Sequence, residues 1–194
     1  MGLDLDNTLI DYQRAYGFLV AEVLSTSEFE NQVLDKDAAK NLILEHKGSL
    51  AWTEAQGKLY SEYLTHADFF PGALDFLKSA QQLGLEIKIV SHKTKYPFVG
   101  PRVDLQACAE KWLHDKLPYD IFRPVLSKNL FFEETKDSKV KRILELKCES
   151  FVDDLAEILE ALPPSIARIH FRGSSEDGKF VKVSTWTELI DLIQ

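Results

Sequence analysis

Two carboxylates near the start of the chain, Asp4 and Asp6, have the residue type and spacing that nucleophilic and acid–base chemistry requires. They follow an apolar start, and the sequence predicts a strand over residues 2–5 and 8–10 that an Asp-x-Asp turn interrupts. At a strand end, one carboxylate can attack phosphorus and the other can move a proton. Asp and Asn are also common in surface turns, so the choice between a functional site and a surface turn depends on which other residues meet here.

Polar residues follow two further predicted strands. The β-branched run over 85–90 leads into Ser91, and the run over 150–152 leads into Asp153 and Asp154. In a parallel sheet, ligands bind beyond the carboxyl ends of the strands. We therefore expect these side chains to meet Asp4 and Asp6 at one edge of the sheet.

The elements that position these residues alternate between strands and helices, which predicts an α/β fold with a Rossmann-like parallel sheet covered on both faces. From residue 12 to 66 the apolar residues fall into three separate groups with helical spacing and strand signals are absent, so we expect a helical insert after the first strand. The core is then formed by residues 1–11 and 67–194. Its further predicted helices are 73–82, 103–116, 136–147, 155–161 and a terminal helix to Gln194, and its further strands are 129–133 and 166–171. Gly84 is expected to end the first of these helices, and Thr135 is expected to be the N-cap of the helix over 136–147.

Composition and charge restrict the classes of partner. The 194 residues are 45% hydrophobic, which fits one sizeable core with or without a small appended domain. The net charge of −8 argues against binding nucleic acid or anionic membranes. Cys108 and Cys148 have neither metal-ligand spacing nor a disulfide framework, and no apolar run approaches the ~20 residues of a membrane span. We expect a cytoplasmic protein with reduced cysteines and no signal peptide.

The order of these motifs resembles that of the haloacid dehalogenase (HAD) superfamily of phosphotransferases. The family's four motifs are matched in order by Asp4-Leu5-Asp6-Asn7-Thr8, by Ser91, by a lysine that is either Lys136 or Lys139, and by Phe151-Val152-Asp153-Asp154. The resemblance covers the predicted core and implies a HAD-like fold. It also implies that the helical insert over 12–66 is a cap.

The resemblance further implies a role for each motif residue. Asp4 is the expected nucleophile, which forms an aspartyl-phosphate, and Asp6 is the expected acid and base. Mg²⁺ is expected on Asp4, on the backbone carbonyl of Asp6 and on Asp153, with Asp154 as an outer or alternate ligand. Such a donor set agrees with the preference of Mg²⁺ for a few carboxylates, water and substrate phosphate. Spacing leaves the choice between Lys136 and Lys139 open.

The implied activity is hydrolysis of a small phosphate monoester by a Mg²⁺-dependent phosphatase. Expected substrate-side residues are Asn7, His92 and Lys93 near the motifs and Gln56 in the insert. One alternative is a catalytically idle HAD-fold protein that binds a partner or a phosphorylated ligand. A second alternative is C–halogen hydrolysis, which Asp6 disfavours because many dehalogenating members lack the second aspartate. The sequence does not indicate which ester is used or the oligomeric state.

Overall fold

The computed structural model describes residues 1–121, 128–173 and 178–193. The chain divides into two compact units. The first unit comprises Met1–Ile10, Phe69–Lys93 and Leu117–Gln194, and the second comprises Asp11–Asp68 and Thr94–Lys116. Among the described residues, no helix combines the length and the apolar character needed to cross a membrane.

Six strands of the described chain form the sheet of the first unit, in the order β5-β4-β1-β6-β7-β8 with every neighbouring pair parallel. The strands are β1 (Gly2–Leu3), β4 (Lys88–His92), β5 (Leu130–Glu133), β6 (Ser150–Asp153), β7 (Ala167–Phe171) and β8 (Val181–Val183). Two shorter strands, β2 (Ile10–Asp11) and β3 (Asp68–Phe69), pair in a separate sheet. The α/β Rossmann-like fold is therefore confirmed.

Helices of the first unit cover both faces of this sheet. They are α3 (Ala73–Gln82), α5 (Lys136–Glu145), α6 (Ala156–Ala161) and α7 (Trp186–Ile193). On one face, α5 and α6 contribute Ile143 and Ile158 to a buried cluster with Phe151 of β6. On the other face, the ring of Trp186 packs against Phe76 of α3, with 5.0 Å between centroids.

Close packing of the two central strands depends on Gly2. It pairs with Phe151 in the parallel register of β1 and β6, and a Cβ at Gly2 would lie 2.4 Å from the Phe151 ring. One residue further, Leu3 pairs with Val152, and the Asp4 N–H donates to the Val152 carbonyl over 2.9 Å. The register therefore places Asp4 beside Asp153, with both side chains on the face that α5 covers.

The second unit is built mainly from helices. They are α1 (Gln13–Leu24), α2 (Lys36–Leu59), a 3₁₀ helix (Glu62–His66) and α4 (Leu105–Lys116). The Asp35 side chain caps α2 by accepting from the Ala38 N–H over 2.7 Å. Within α2, Gly48 has φ +80°, so the element contains two helical stretches, where the sequence predicts separate helical groups.

The second unit also takes in residues 94–116, which the sequence analysis places in the core. Packing explains this division, because Pro97 lies against Gly57 of α2 so closely that a Cβ at Gly57 would be 2.9 Å from the Pro97 side chain. Helix α4, which follows this segment, contacts the 3₁₀ helix of the same unit. A helix that packs on other helices has the same local pattern as one that covers a sheet, so the sequence does not separate the two cases.

The structure differs from the predicted strands in three ways. Residues 8–10 do not continue β1, because the chain turns after Asp4 and Ile10 pairs in the separate sheet. Strand β4 begins at Lys88 and includes Ser91 and His92, where the sequence predicts a strand over 85–90. Strands β3 and β8 are absent from the prediction, since two or three residues give almost no periodic signal.

Candidate active site

The turn after β1 is a compact backbone loop. The Leu5 carbonyl accepts hydrogen bonds from the N–H groups of Leu9 and Ile10, at 3.0 and 2.9 Å. Asn7 has φ +60°, a left-handed conformation that Asn tolerates better than most residues. The loop begins at the carboxyl end of β1, so the sequence prediction of a polar turn at this edge of the sheet is confirmed.

A buried ion-pair cluster lies at this edge, formed by Asp4, Lys139 and Asp153. Lys139 Nζ donates to Asp4 Oδ1 over 2.6 Å and to Asp153 Oδ2 over 2.7 Å. Only 1% of the Lys139 side chain is exposed. Lys136, the other candidate, forms an ion pair with Glu157 on the surface. The structure therefore brings Lys139 to Asp4 and leaves Lys136 outside the cluster.

The position of Lys139 follows from the start of α5. The Thr135 side chain accepts from the Ser138 N–H over 3.1 Å, and the Ser138 hydroxyl accepts from the Thr135 N–H over 3.2 Å. This reciprocal capping box fixes where the helix begins, as predicted for Thr135. Lys139 then lies one turn into the helix, on its buried face with Ile143.

Charge and burial shift the ionisation of this cluster. Burial raises the pKa of Asp4 to about 7, with Asp153 and Asp6 adding to the rise and Lys139 opposing it. Burial alone would lower the pKa of Lys139, but Asp4 and Asp153 outweigh it and raise this pKa above its ordinary value. Lys139 therefore stays protonated, and the carboxylates around this single cation outnumber it.

Asp6 is held by residues at the carboxyl end of β4. Ser91 Oγ donates to Asp6 Oδ2 over 3.2 Å, and Lys93 Nζ donates to Asp6 Oδ1 over 3.0 Å. Ser91 and Lys93 are both buried, with 2% of the Lys93 side chain exposed. The structure thus brings Asp6 and Ser91 together, as the motif order predicts, and adds Lys93, which the sequence predicts as a substrate-side residue.

The turn after β6 places Asp153 and Asp154 beside Asp4. Ligand atoms of these three carboxylates lie within 4.8 Å of one another, and together they could hold a metal ion. Both oxygens of Asp153 already accept hydrogen bonds, Oδ2 from Lys139 and Oδ1 from the Leu155 N–H over 2.9 Å. Clustered carboxylate oxygens are the donors that Mg²⁺ prefers, so the residues fit this ion.

Three further predicted residues are Asn7 in the loop after β1, His92 in β4 and Gln56 in the second unit. His92 Nε2 lies 3.3 Å from the Glu134 carbonyl oxygen, and burial together with nearby lysines lowers the pKa of this ring. Gln56 lies half-buried on α2 in the second unit. The proposed contacts of Asn7, His92 and Gln56 with substrate stay predictions.

Two residues that contact the main chain of the metal-ligand candidate Asp154 were not predicted from the sequence. Thr8 Oγ1 accepts from the Asp154 N–H over 3.2 Å, and His170 Nε2 lies 3.1 Å from the Asp154 carbonyl oxygen. Thr8 belongs to the first motif, so its place in the motif was a usable signal. His170 lies within a predicted strand, and nothing in its neighbouring residues indicates this contact.

Comparison with known proteins agrees with this geometry. No protein-family model matches the chain. A Bacillus cereus protein named "Putative nucleotidase" is 24% identical over 200 residues, which cover 100% of this chain and 97% of the relative. Among solved structures, a Clostridium difficile protein titled "Putative Phosphatase" is 17% identical with a TM-score of 0.69, covering 100% of this chain and 97% of that one. A HAD-superfamily hydrolase from Ehrlichia chaffeensis is 15% identical with a TM-score of 0.56, covering 99% and 94%.

These likenesses extend over the whole chain, although identity is low. The chain has the fold of HAD-superfamily hydrolases, as its motif order predicts. Its polar cluster also lies where that motif order places it, at the carboxyl ends of β1, β4 and β6.

Proposed function

We propose that the protein is a Mg²⁺-dependent phosphatase that hydrolyses a small phosphate monoester through an aspartyl-phosphate on Asp4. The observation that carries the proposal is the buried Lys139, whose Nζ contacts both Asp4 and Asp153. Burying a lysine between two carboxylates costs desolvation free energy that the ion pairs do not fully offset, so such a cluster is weakly explained by stability alone. Groups with strongly shifted pKa values concentrate at functional sites, which supports a functional role for this cluster.

The excess of carboxylates supports a divalent cation. Asp4, Asp153 and Asp154 carry three negative charges when ionised, and Lys139 carries one positive charge. Uncompensated charge in a buried site is unfavourable, and a cation held by the carboxylates and the Asp6 backbone carbonyl would remove it. When bound, Mg²⁺ would offset the negative charge of the transferring phosphoryl group.

We propose that Asp153 and Asp154 both ligate the metal. Each oxygen of Asp153 accepts one hydrogen bond, from Lys139 or from the Leu155 N–H, and a carboxylate oxygen has a second lone pair for a cation. Asp154 offers a carboxylate oxygen within the same cluster, so it joins Asp153 as a direct ligand, where the sequence expects it as an outer or alternate ligand.

The two aspartates of the first motif carry the covalent steps. Asp4 attacks phosphorus through a carboxylate oxygen, the bond from phosphorus to the ester oxygen breaks, and Asp6 gives a proton to the leaving oxygen. Water then attacks the phosphorus and gives a proton to Asp6. The bond between phosphorus and Asp4 breaks, inorganic phosphate leaves, and Asp4 returns to its carboxylate form.

The residues around these two aspartates orient the carboxyl groups and offset negative charge. Ser91 and Lys93 hold the Asp6 carboxyl from two sides and offer N–H and O–H donors to phosphoryl oxygens that come close. Lys139 keeps Asp4 in position and offsets repulsion between this carboxylate and a phosphate dianion.

Nucleoside monophosphates are the first substrate class to test, because the Bacillus cereus relative is named as a nucleotidase. Sugar phosphates and phosphoglycolate-like acids form the comparison set. Asn7, His92 and Gln56 are proposed to contact the substrate, so replacing Gln56 by alanine should raise KM more than it lowers kcat.

The basic assay uses p-nitrophenyl phosphate with Mg²⁺. We expect turnover that EDTA and Asp4→Asn abolish, that Lys139→Met lowers by at least about 10²-fold, and that Lys136→Met leaves near the wild-type rate. Turnover that survives Asp4→Asn would contradict the mechanism. Absence of turnover on this substrate, on nucleoside monophosphates and on the comparison set would instead favour a HAD-fold protein that binds phosphorylated ligands without hydrolysing them.

A further inference from the structure

We infer that His170 is a positioning residue for the metal site, because it holds the Asp154 main chain through a hydrogen bond. This inference rests on the proposed function, which makes Asp154 a metal ligand. His170 lies on β7, next to the acidic motif at the end of β6, and acts through Asp154 without touching the substrate or the metal itself.

The contact is set by the sheet register. His170 pairs with Asp153 in the parallel alignment of β6 and β7, so its side chain lies on the same face as Asp153. Its Nε2 then reaches the carbonyl oxygen of the next residue, Asp154, at 3.1 Å. A carbonyl only accepts, so Nε2 carries the proton and donates.

The ring has little freedom to move away from this bond. His170 is 4% exposed, and the Phe180 ring packs edge-on against it with centroids 5.7 Å apart. On another side lies Gly173, where a Cβ would come within 2.0 Å of the imidazole Nδ1 and Cε1 atoms. Glycine at this position therefore permits the close approach, and the imidazole is confined by its neighbours.

The bond from His170 complements a second bond on the other side of the same residue. The Asp154 N–H donates to Thr8 Oγ1 over 3.2 Å, and the Thr8 carbonyl accepts from Trp186 Nε1 over 3.1 Å. Hydrogen bonds to both the N–H and the C=O of Asp154 restrict its backbone dihedrals. Because these dihedrals set the direction of the Cα–Cβ bond, they aim the Asp154 carboxylate toward Asp4.

Metal affinity depends on such outer contacts, and losing one typically weakens binding by about 10- to 100-fold. Gln and Met have similar length and shape, but the terminal amide of Gln can donate where the His Nε2 donates. We therefore expect His170→Met to weaken Mn²⁺ binding by about tenfold and His170→Gln to stay within about threefold of the wild type. Mn²⁺ serves as the probe, and its free concentration is measured by electron paramagnetic resonance without any substrate.

Each outcome of the titration has a defined meaning. Equal Mn²⁺ affinity in His170→Met and the wild type, or equal weakening in the Met and Gln variants, would overturn the positioning role. If circular dichroism shows that His170→Met is unfolded, Gly173→Ala is tested instead, because its added Cβ displaces the imidazole ring. Weakened Mn²⁺ binding in Gly173→Ala supports the positioning role, and unchanged binding overturns it. Failure of the wild type to bind Mn²⁺, or binding that Asp154→Asn leaves intact, would overturn the metal site of the proposed function as well.

Discussion

Replacing Lys139 by methionine keeps a long buried side chain but removes its charge. In the wild type, Nζ lies 2.6 Å from Asp4 Oδ1 and 2.7 Å from Asp153 Oδ2. At an effective dielectric constant of ~20, each contact is worth about 6 kcal/mol before the cost of removing the ammonium from water is subtracted. Because desolvation cancels much of this gain, we expect Lys139→Met to lower the free energy of unfolding by about 3–5 kcal/mol in metal-free protein.

The size of this loss should depend on pH. The pKa of Asp4 is raised to about 7, so below pH 7 this carboxyl takes up a proton and no longer needs the lysine as its counter-charge. Above pH 7 Asp4 stays ionised in the wild type, and in the variant it must either remain unpaired or take up a proton at a cost. The difference in unfolding free energy between wild type and variant should therefore increase from pH 6 to pH 8.

Urea unfolding in EDTA, followed by circular dichroism, measures this difference. Lys136→Met is the matched control, because its ion pair with Glu157 is on the surface and its loss should cost less than about 1 kcal/mol. A loss below about 1 kcal/mol for Lys139→Met at pH 8, or an equal loss in the Lys136 control, would refute the buried ion-pair argument.

Three further substitutions test separate parts of the structure. Ser91→Ala removes a hydroxyl that donates to Asp6, so kcat on p-nitrophenyl phosphate should fall by about 10²-fold with little change in melting temperature. An unchanged kcat would show that Ser91 has no part in the site. Thr135→Ala removes the N-cap of α5 and should cost about 1 kcal/mol in urea unfolding, whereas Thr135→Ser should restore most of it. Gly2→Ala places a Cβ 2.4 Å from the Phe151 ring and should cost about 1–3 kcal/mol by the same measurement; a neutral result would show that the ring moves freely.

Local sequence signals were sufficient for the elements that depend on nearest neighbours. Thr135 was predicted as an N-cap, and the structure shows it in a capping box with Ser138. Gly84 was predicted to end α3, and it has φ +70° just after that helix. Such features depend on a few adjacent residues, so their pattern is visible in the sequence.

The convergence of the motifs also followed from the sequence, because it needs only the direction of the strands. Parallel strands bring their carboxyl ends to one edge, so the sequence alone predicts that Asp4, Ser91 and Asp153 lie close together. The hydrogen bonds that Lys139 and Ser91 make to Asp4, Asp153 and Asp6 confirm that convergence.

Tertiary structure decided the points that depend on exact placement across the chain. Lys136 and Lys139 differ by one helical turn, a rise of about 4.5 Å, and only the packing of α5 on the sheet decides which of them reaches Asp4. The bond from His170 to Asp154 likewise depends on the register of β6 and β7. The sequence by itself therefore determined the order of strands and helices and the residue types at their ends, since both depend on local periodicity and chain direction. Packing decided how deeply each side chain is buried and which distant residue it contacts. Local sequence patterns do not encode either property.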